Sequence, residues 1–147
     1  MNVNLSADDK QIISDLYDKT IHFPLGLPGL EGHTRFVLGR TEEEAPFFTL
    51  RSLDDTRIGL TVVEPYALVP DYSFDVDDDQ LIPISSPSNL DCAVMVVVLV
   101  TSNENGKIKV QANLVAPIVV NKKVKMGRQI VLKDPPSIYS DSVAFEF

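Results

Sequence analysis

CAVMVVVLVTSNENGKIKVQANL, residues 92–114, decides the fold. Its first nine residues, Cys92 to Val100, are all apolar. A strand that is apolar on both faces must be covered on both sides, so this run reads as a central strand. It is also far short of the roughly 20 apolar residues that a membrane-spanning helix needs. The second half alternates. Ile108, Val110, Ala112 and Leu114 point to a core, while Lys107, Lys109, Gln111 and Asn113 point outward. Between the halves stands Asn105-Gly106, a pair that tolerates the positive φ of a type I′ turn. A two-residue hairpin is expected there, with Glu104 opposite Lys107 as an exposed cross-strand ion pair.

The same period runs outward from this hairpin. In residues 56–63 Ile58, Leu60 and Val62 share one face, against Arg57, Gly59 and Thr61. In residues 46–52 Phe47, Thr49 and Arg51 oppose Phe48 and Leu50, and Leu53-Asp54-Asp55 supplies the turn between the two segments. Pro117 breaks or bulges the pairing after Leu114, because it cannot donate to a ladder. Ile130 to Leu132 read as another strand piece, stopped by Pro135-Pro136. Short strands joined by turns favour an antiparallel sandwich or closed barrel over βαβ units. The fold class is therefore mainly β: a small antiparallel β-barrel-like domain, either a flattened barrel or a sandwich. At the N-terminus, Ser6 followed by Asp9 resembles a helix cap, and Ile12, Ile13, Leu16 and Tyr17 recur at helical spacing. A short amphipathic helix near 7–18 is expected, with a short edge strand as the competing reading.

The chain has 147 residues, the size of one domain, and it is long enough to bury a core without metal or disulfide. With 44% hydrophobic and 23% charged residues it is not a disordered polymer. The net charge of −8 is uneven: residues 1–91 carry −11 and residues 92–147 carry +3. An acidic chain argues against non-specific nucleic-acid binding, which needs clustered cations, and suits a basic protein partner. No secretory signal opens the chain and Cys92 is its only cysteine, so a cytoplasmic protein without disulfides is expected.

Chemical motifs are mostly excluded. His22 and His33 have no metal-ligand spacing, and neither a nucleophile elbow, a P-loop nor a dinucleotide fingerprint occurs. Gly26, Gly29 and Gly32 have the wrong spacing for a phosphate cradle and read as a rigid turn around Pro28. Asp75, Asp77 and Asp79 alternate like a calcium loop, but Gln80 stands where Gly is needed and Ser86 where the bidentate Glu belongs. That stretch reads either as a solvated acidic loop or as an electrostatic docking patch. Glu42-Glu43-Glu44 reads as a solvated turn. Lys122, Lys123, Lys125 and Arg128 lack interleaved aromatics, so they form a positive loop rather than an RNA platform. No catalytic, cofactor or metal residue is nominated.

Four stretches in register resemble the flagellar assembly factor family FliW. Phe23-Pro24-Leu25-Gly26-Leu27-Pro28-Gly29-Leu30-Glu31 is similar to the family's F-x-x-G-I-P-G-F-E. Pro46-Phe47 with Leu50-Arg51-Ser52 is similar to its P-F-x-x-L-Q-S. Val63-Glu64-Pro65-Tyr66 precedes Pro70-Asp71-Tyr72. Asn113-Leu114-Val115-Ala116-Pro117-Ile118-Val119-Val120-Asn121, followed by Gln129-Ile130-Val131-Leu132, is similar to N-L-x-A-P-I-V-I-N and Q-V-V-L. Leu30 departs from the family's Phe and Arg51 from its Gln. The resemblance spans roughly residues 21–134 and leaves residues 1–20 as a separate N-terminal segment ahead of a single domain, 21–147.

The resemblance implies a β-barrel-like protein without catalysis or cofactor. It implies two protein partners, the RNA-binding translational regulator CsrA and flagellin, which compete for it. Secretion of flagellin then frees the factor to capture CsrA and release flagellin translation. A β-barrel enzyme or small-ligand binder with an interior site is the alternative. For partner contacts, Asn113 and Asn121 are expected to frame a corner at which Pro117 leaves an edge open to an incoming chain. Asp71, Asp75, Asp77, Asp78 and Asp79 are expected to steer a basic partner such as CsrA.

Overall fold

The computed structural model describes residues 2–6, 13–40, 46–102, 104–139 and 143–146. Residues 7–12 of the expected helix and the acidic run 42–44 lie outside the described residues. Eleven strands are described: β1 (Asn2–Ser6), β2 (Thr20–His22), β3 (Arg35–Arg40), β4 (Phe48–Ser52), β5 (Gly59–Val63), β6 (Ser73–Asp77), β7 (Cys92–Ser102), β8 (Ile108–Ala112), β9 (Ile118–Asn121), β10 (Met126–Gln129) and β11 (Val143–Glu146). One short α-helix, α1 (Asp78–Leu81), follows β6 directly.

Seven of these strands close a barrel in the order β7-β5-β4-β3-β2-β10-β9 and back to β7. Closure depends on a single parallel pairing of Met126 with His22, reinforced by the His22 N–H donating to the Lys125 carbonyl at 2.9 Å. The barrel is thus not wholly antiparallel, as the turn pattern had suggested. β8 and β11 extend the sheet from the far half of β7, and β1 pairs with β6 as a separate two-stranded layer.

β7 is the central strand that its composition requires. Ala93 and Met95 point into the barrel, where they meet Ile21, Phe23, Phe36, Leu38, Phe48, Leu50, Val62, Ile118 and Val120. Cys92, Val94, Val96 and Val98 point the other way, into an outer core made with Val110, Ala112, Leu114, Tyr72, Phe74 and Val76. The two-stranded layer covers this outer face. Each fully buried large apolar side chain contributes about 1.5–3 kcal/mol, so two cores sharing one strand make β7 the backbone of the fold. The barrel interior is filled: Phe23 packs edge-on against Phe36 with centroids 5.3 Å apart.

The structure corrects several expectations. The ladder between β7 and β8 ends at Ser102 opposite Ile108, so five residues span the turn instead of two. Gly106 has φ +77, but Asn105 does not share the positive φ that a type I′ turn demands. Glu104 and Lys107 lie in this loop rather than in the ladder. Ile108, expected in the core, is 37% exposed because it sits at the hairpin tip beyond the outer core. The segment Ile130–Leu132 is not a paired strand, although the Ile130 and Leu132 N–H groups donate to the carbonyls of Pro117 and Val115.

The N-terminal helix near 7–18 is replaced, over its described part, by a single 3-10 turn at Ile13–Leu16, and Asp18 takes φ +62 and ends it. Ile13 and Leu16 are fully buried in the barrel core. Over the described residues their helical spacing corresponds to this one turn. A strand does form at this end, but at residues 2–6, where Leu5 is buried and Asn4 exposed.

Candidate functional site

Two of the four stretches that carry the family resemblance, the first and the fourth, meet at one end of the barrel. Phe23 to His33 folds into two consecutive tight turns: the Gly26 N–H donates to the Phe23 carbonyl at 2.9 Å and the Leu30 N–H to the Leu27 carbonyl at 2.8 Å. Gly26 has φ +66, and a Cβ there would lie 2.9 Å from the Glu31 carbonyl oxygen, so both conformation and space demand glycine. The turns hold Leu27, Pro28, Gly29 and Leu30 over the barrel mouth.

The fourth stretch opens with a corner, Asn113–Pro117. Val98 pairs with Ala112 and Met95 with Ile118, so three steps along β7 face six along the partner chain. The three extra residues loop out of the ladder. The Gln129 amide, from the later part of the same stretch, donates to the Ala116 carbonyl at 3.0 Å and ties the corner down. With Ile58 and Leu60 from the β5 side and Val97 from β7, these segments enclose an open groove of about 510 Å³. Its walls are Leu27, Leu30, Ile58, Leu60, Ile118 and Val131; Asn113 and Gln129 are the polar side chains, and none of the lining residues is titratable. Such a groove can take up an apolar surface and orient it by one or two amide hydrogen bonds. It offers no acid, base or nucleophile.

The expected partner residues are dispersed. Asn113 lines the groove, and its backbone N–H donates to the Val97 carbonyl at 3.0 Å. Pro117 is buried beneath the corner, and its carbonyl already accepts from Ile130, so the edge beside it is occupied by the chain itself. Asn121 lies at the other end of β9, only 4% exposed; its amide donates to the Ile84 carbonyl at 2.9 Å and its Oδ1 accepts from the Lys123 N–H at 3.0 Å. It satisfies buried backbone and does not share a surface with Asn113.

The acidic stretch is ordered structure, not a loop. Asp75 and Asp77 sit on β6 and Asp78 and Asp79 open α1, while Asp71 lies in the turn before β6. The Asn4 amide donates to Asp75 Oδ1 at 2.8 Å, and Lys133 pairs with Asp77 at 3.3 Å. The Lys122–Arg128 stretch is the β9–β10 hairpin; Lys122 pairs with Asp15 and Lys123 with Asp91, and Arg128 donates to the Gln80 carbonyl. Among the described residues no three His, Cys, Asp or Glu side chains converge to hold a metal ion. Cys92 is a buried thiol that donates to the Ser88 carbonyl.

Perturbed acids and phenols lie away from the groove. N–H donors from Thr34 and Arg35 hold the Asp54 carboxyl below the usual range, and the Arg57 guanidinium does the same for Asp55. Burial raises Glu64, and burial together with Tyr139 and Tyr66 raises the Tyr72 phenol, which donates to the Leu114 carbonyl at 2.7 Å. These are features of packing. The groove residues Ile58 and Leu60 lie outside the family-like stretches. Their alternation marks them as core-facing, and only the position of the barrel's end leaves them open.

The chain thus forms a filled seven-stranded barrel with an outer β-layer and an apolar groove at its mouth. A family model described as FliW protein matches residues 5–141. The flagellar assembly factor FliW of Nitratidesulfovibrio vulgaris (strain DP4) is 38% identical over 125 residues, covering 83% of this chain and 71% of that protein. That of Treponema denticola is 38% identical over 130 residues, covering 88% and 80%, and that of Bacillus licheniformis 35% over 117 residues, covering 80% of each. A crystal structure of the flagellar assembly factor FliW superposes with a TM-score of 0.71 at 31% identity, covering 79% of each chain. The chain belongs to the FliW family of flagellar assembly factors. No described helix is long and apolar enough to cross a membrane.

Proposed function

We propose that this flagellar assembly factor works by exchanging protein partners in the cytoplasm and not by catalysis. One partner is a CsrA-type translational regulator and the other is flagellin. While flagellin occupies the factor, the regulator represses flagellin translation; when flagellin is secreted, the factor takes up the regulator and repression ends. The observation that carries the reading is the convergence of Leu27–Leu30, Asn113–Ile118 and Gln129–Val131 on one open groove without a titratable wall. Asp71, Asp75, Asp77, Asp78 and Asp79 supply a separate acidic face that raises the encounter rate with a basic partner. A small-ligand binder is favoured only by the groove's volume, which falls within the roughly 300–1,000 Å³ of ligand pockets. Its interior version is opposed by the packed barrel.

Calorimetry with purified flagellin and purified regulator tests the proposal. The parent protein is expected to bind each, with bound flagellin blocking regulator uptake. Val131 is 67% exposed, so Val131→Glu is expected to fold normally and to lose at least tenfold in affinity for one partner. Failure of the parent to bind either partner overturns the proposal. Unchanged affinities in the variant overturn the assignment of the groove.

A further inference from the structure

β6 has one edge paired with β1 and a second edge that borders a groove. Two hydrogen bonds show which backbone groups use the second edge. The Ser73 N–H donates to the Tyr139 hydroxyl, and the Asp77 N–H donates to Gln80 Oε1, each at 3.2 Å. In an antiparallel ladder successive residues alternate between the two edges. Ser73, Asp75 and Asp77 therefore turn their backbone groups away from β1, and Phe74 and Val76 turn theirs toward it. The ends of the outer edge are satisfied internally. Asp75 between them presents a backbone N–H and C=O that meet no partner among the described residues.

The groove along this edge has about 250 Å³ lined by Asp75, Asp77, Gln80 and Ile130–Lys133. It adjoins a second space of about 260 Å³, lined by Asn4, Ser73, Phe74 and the chain from Leu132 to Pro136, and the two share Asp75, Leu132 and Lys133. The opposite wall runs alongside β6. Its Ile130 and Leu132 N–H groups are spent on Pro117 and Val115, so by the same alternation Val131 and Lys133 direct theirs away from that corner. A five-residue strand offers about 17 Å of edge.

Charge selects the occupant. Asp75, Asp77 and Asp134 line the two spaces, and Asp78 and Asp79 follow at the end of β6. Among the described residues Lys133 is the only cation in either lining, and it is already paired with Asp77. These carboxylates repel a second copy of the same edge, which protects an unpaired strand from self-association. They attract a strand whose side chains are cationic. We infer that the outer edge of β6 accepts an extended peptide segment bearing Lys or Arg at alternate positions, by strand addition at Asp75. The barrel-mouth groove takes no part, and the inference stands whichever protein supplies the segment.

The test uses the full chain, isotopically labelled, titrated in an NMR experiment with an acetylated, amidated heptapeptide of alternating Lys and Thr. Saturable binding is expected, with the largest amide shifts at Asp75 and Lys133. A peptide of the same sequence with N-methylated Thr amides keeps its charge and loses donors, and should bind at least tenfold more weakly. Replacing Lys by Glu should abolish binding. Asp75→Asn retains the edge and should weaken binding severalfold with a reduced salt dependence. Equal affinity of the N-methylated peptide reduces the site to charge attraction and overturns strand addition. Absence of saturable binding, or shifts centred on the barrel mouth, also overturns it.

Discussion

Gly127 on β10 faces the barrel interior, and substitution there probes how tightly the barrel is closed. A Cβ at position 127 would lie 2.9 Å from Phe23 Cε2, 3.1 Å from Val120 Cγ2 and 3.2 Å from Phe23 Cζ. Ordinary carbon contacts are about 3.5–4.0 Å, so Gly127→Ala demands a shift of several tenths of an ångström. Phe23 is fully buried and held edge-on by Phe36, so its ring has no free direction in which to move. Overpacking of this kind costs about 1–3 kcal/mol. Removing glycine from the unfolded chain returns about 0.4–1 kcal/mol, since no positive φ is required here. The clash wins, and the net loss is about 1–2 kcal/mol, or about 2–8 °C in melting temperature for a chain of this length. Thermal melts of parent, Gly127→Ala, Phe23→Leu and the double variant check this. Shortening Phe23 opens the space that the added methyl group needs, so the double variant should lose less than the two single losses together by at least about 0.5 kcal/mol. Parental stability of Gly127→Ala, or simple additivity in the double variant, would refute the close packing.

Three further outcomes are expected. Gly106→Val should cost about 1–3 kcal/mol, because a β-branched residue resists the left-handed backbone at the β7–β8 turn; equal denaturant midpoints would contradict it. Asn121→Ala leaves the buried Ile84 carbonyl without its donor and should cost about 1–3 kcal/mol in chemical denaturation; unchanged stability would contradict it. Asp54 is held below the ordinary aspartate value of 3.8 by the Thr34 and Arg35 N–H groups, so its stabilisation is present above that pH and fades as pH falls through the lowered value. The melting-temperature gap between parent and Asp54→Ala should therefore be largest near neutrality and shrink in acid; a gap independent of pH would contradict it.

Much of the fold was legible in the sequence because β-structure leaves a period-two record. The apolar run Cys92–Val100 announced a strand buried on both faces, and β7 indeed serves both cores. Gly106 announced a positive φ and has one. The stretches around Gly26, Asn113 and Gln129 marked the family before any geometry was known. Other features had no local signature. The five-residue turn, the parallel joint between β2 and β10 and the burial of Pro117 follow from how the barrel closes, which depends on contacts far apart in sequence. The groove shows the difference most clearly. Ile58 and Leu60 alternate as core residues do, Val97 sits in a run apolar on both faces, and hydrophobic periodicity says only which side of a strand a residue occupies. Whether that side is covered depends on where the closed sheet ends, and the height of a barrel wall is set by strand stagger and register across all its strands, which no single segment encodes.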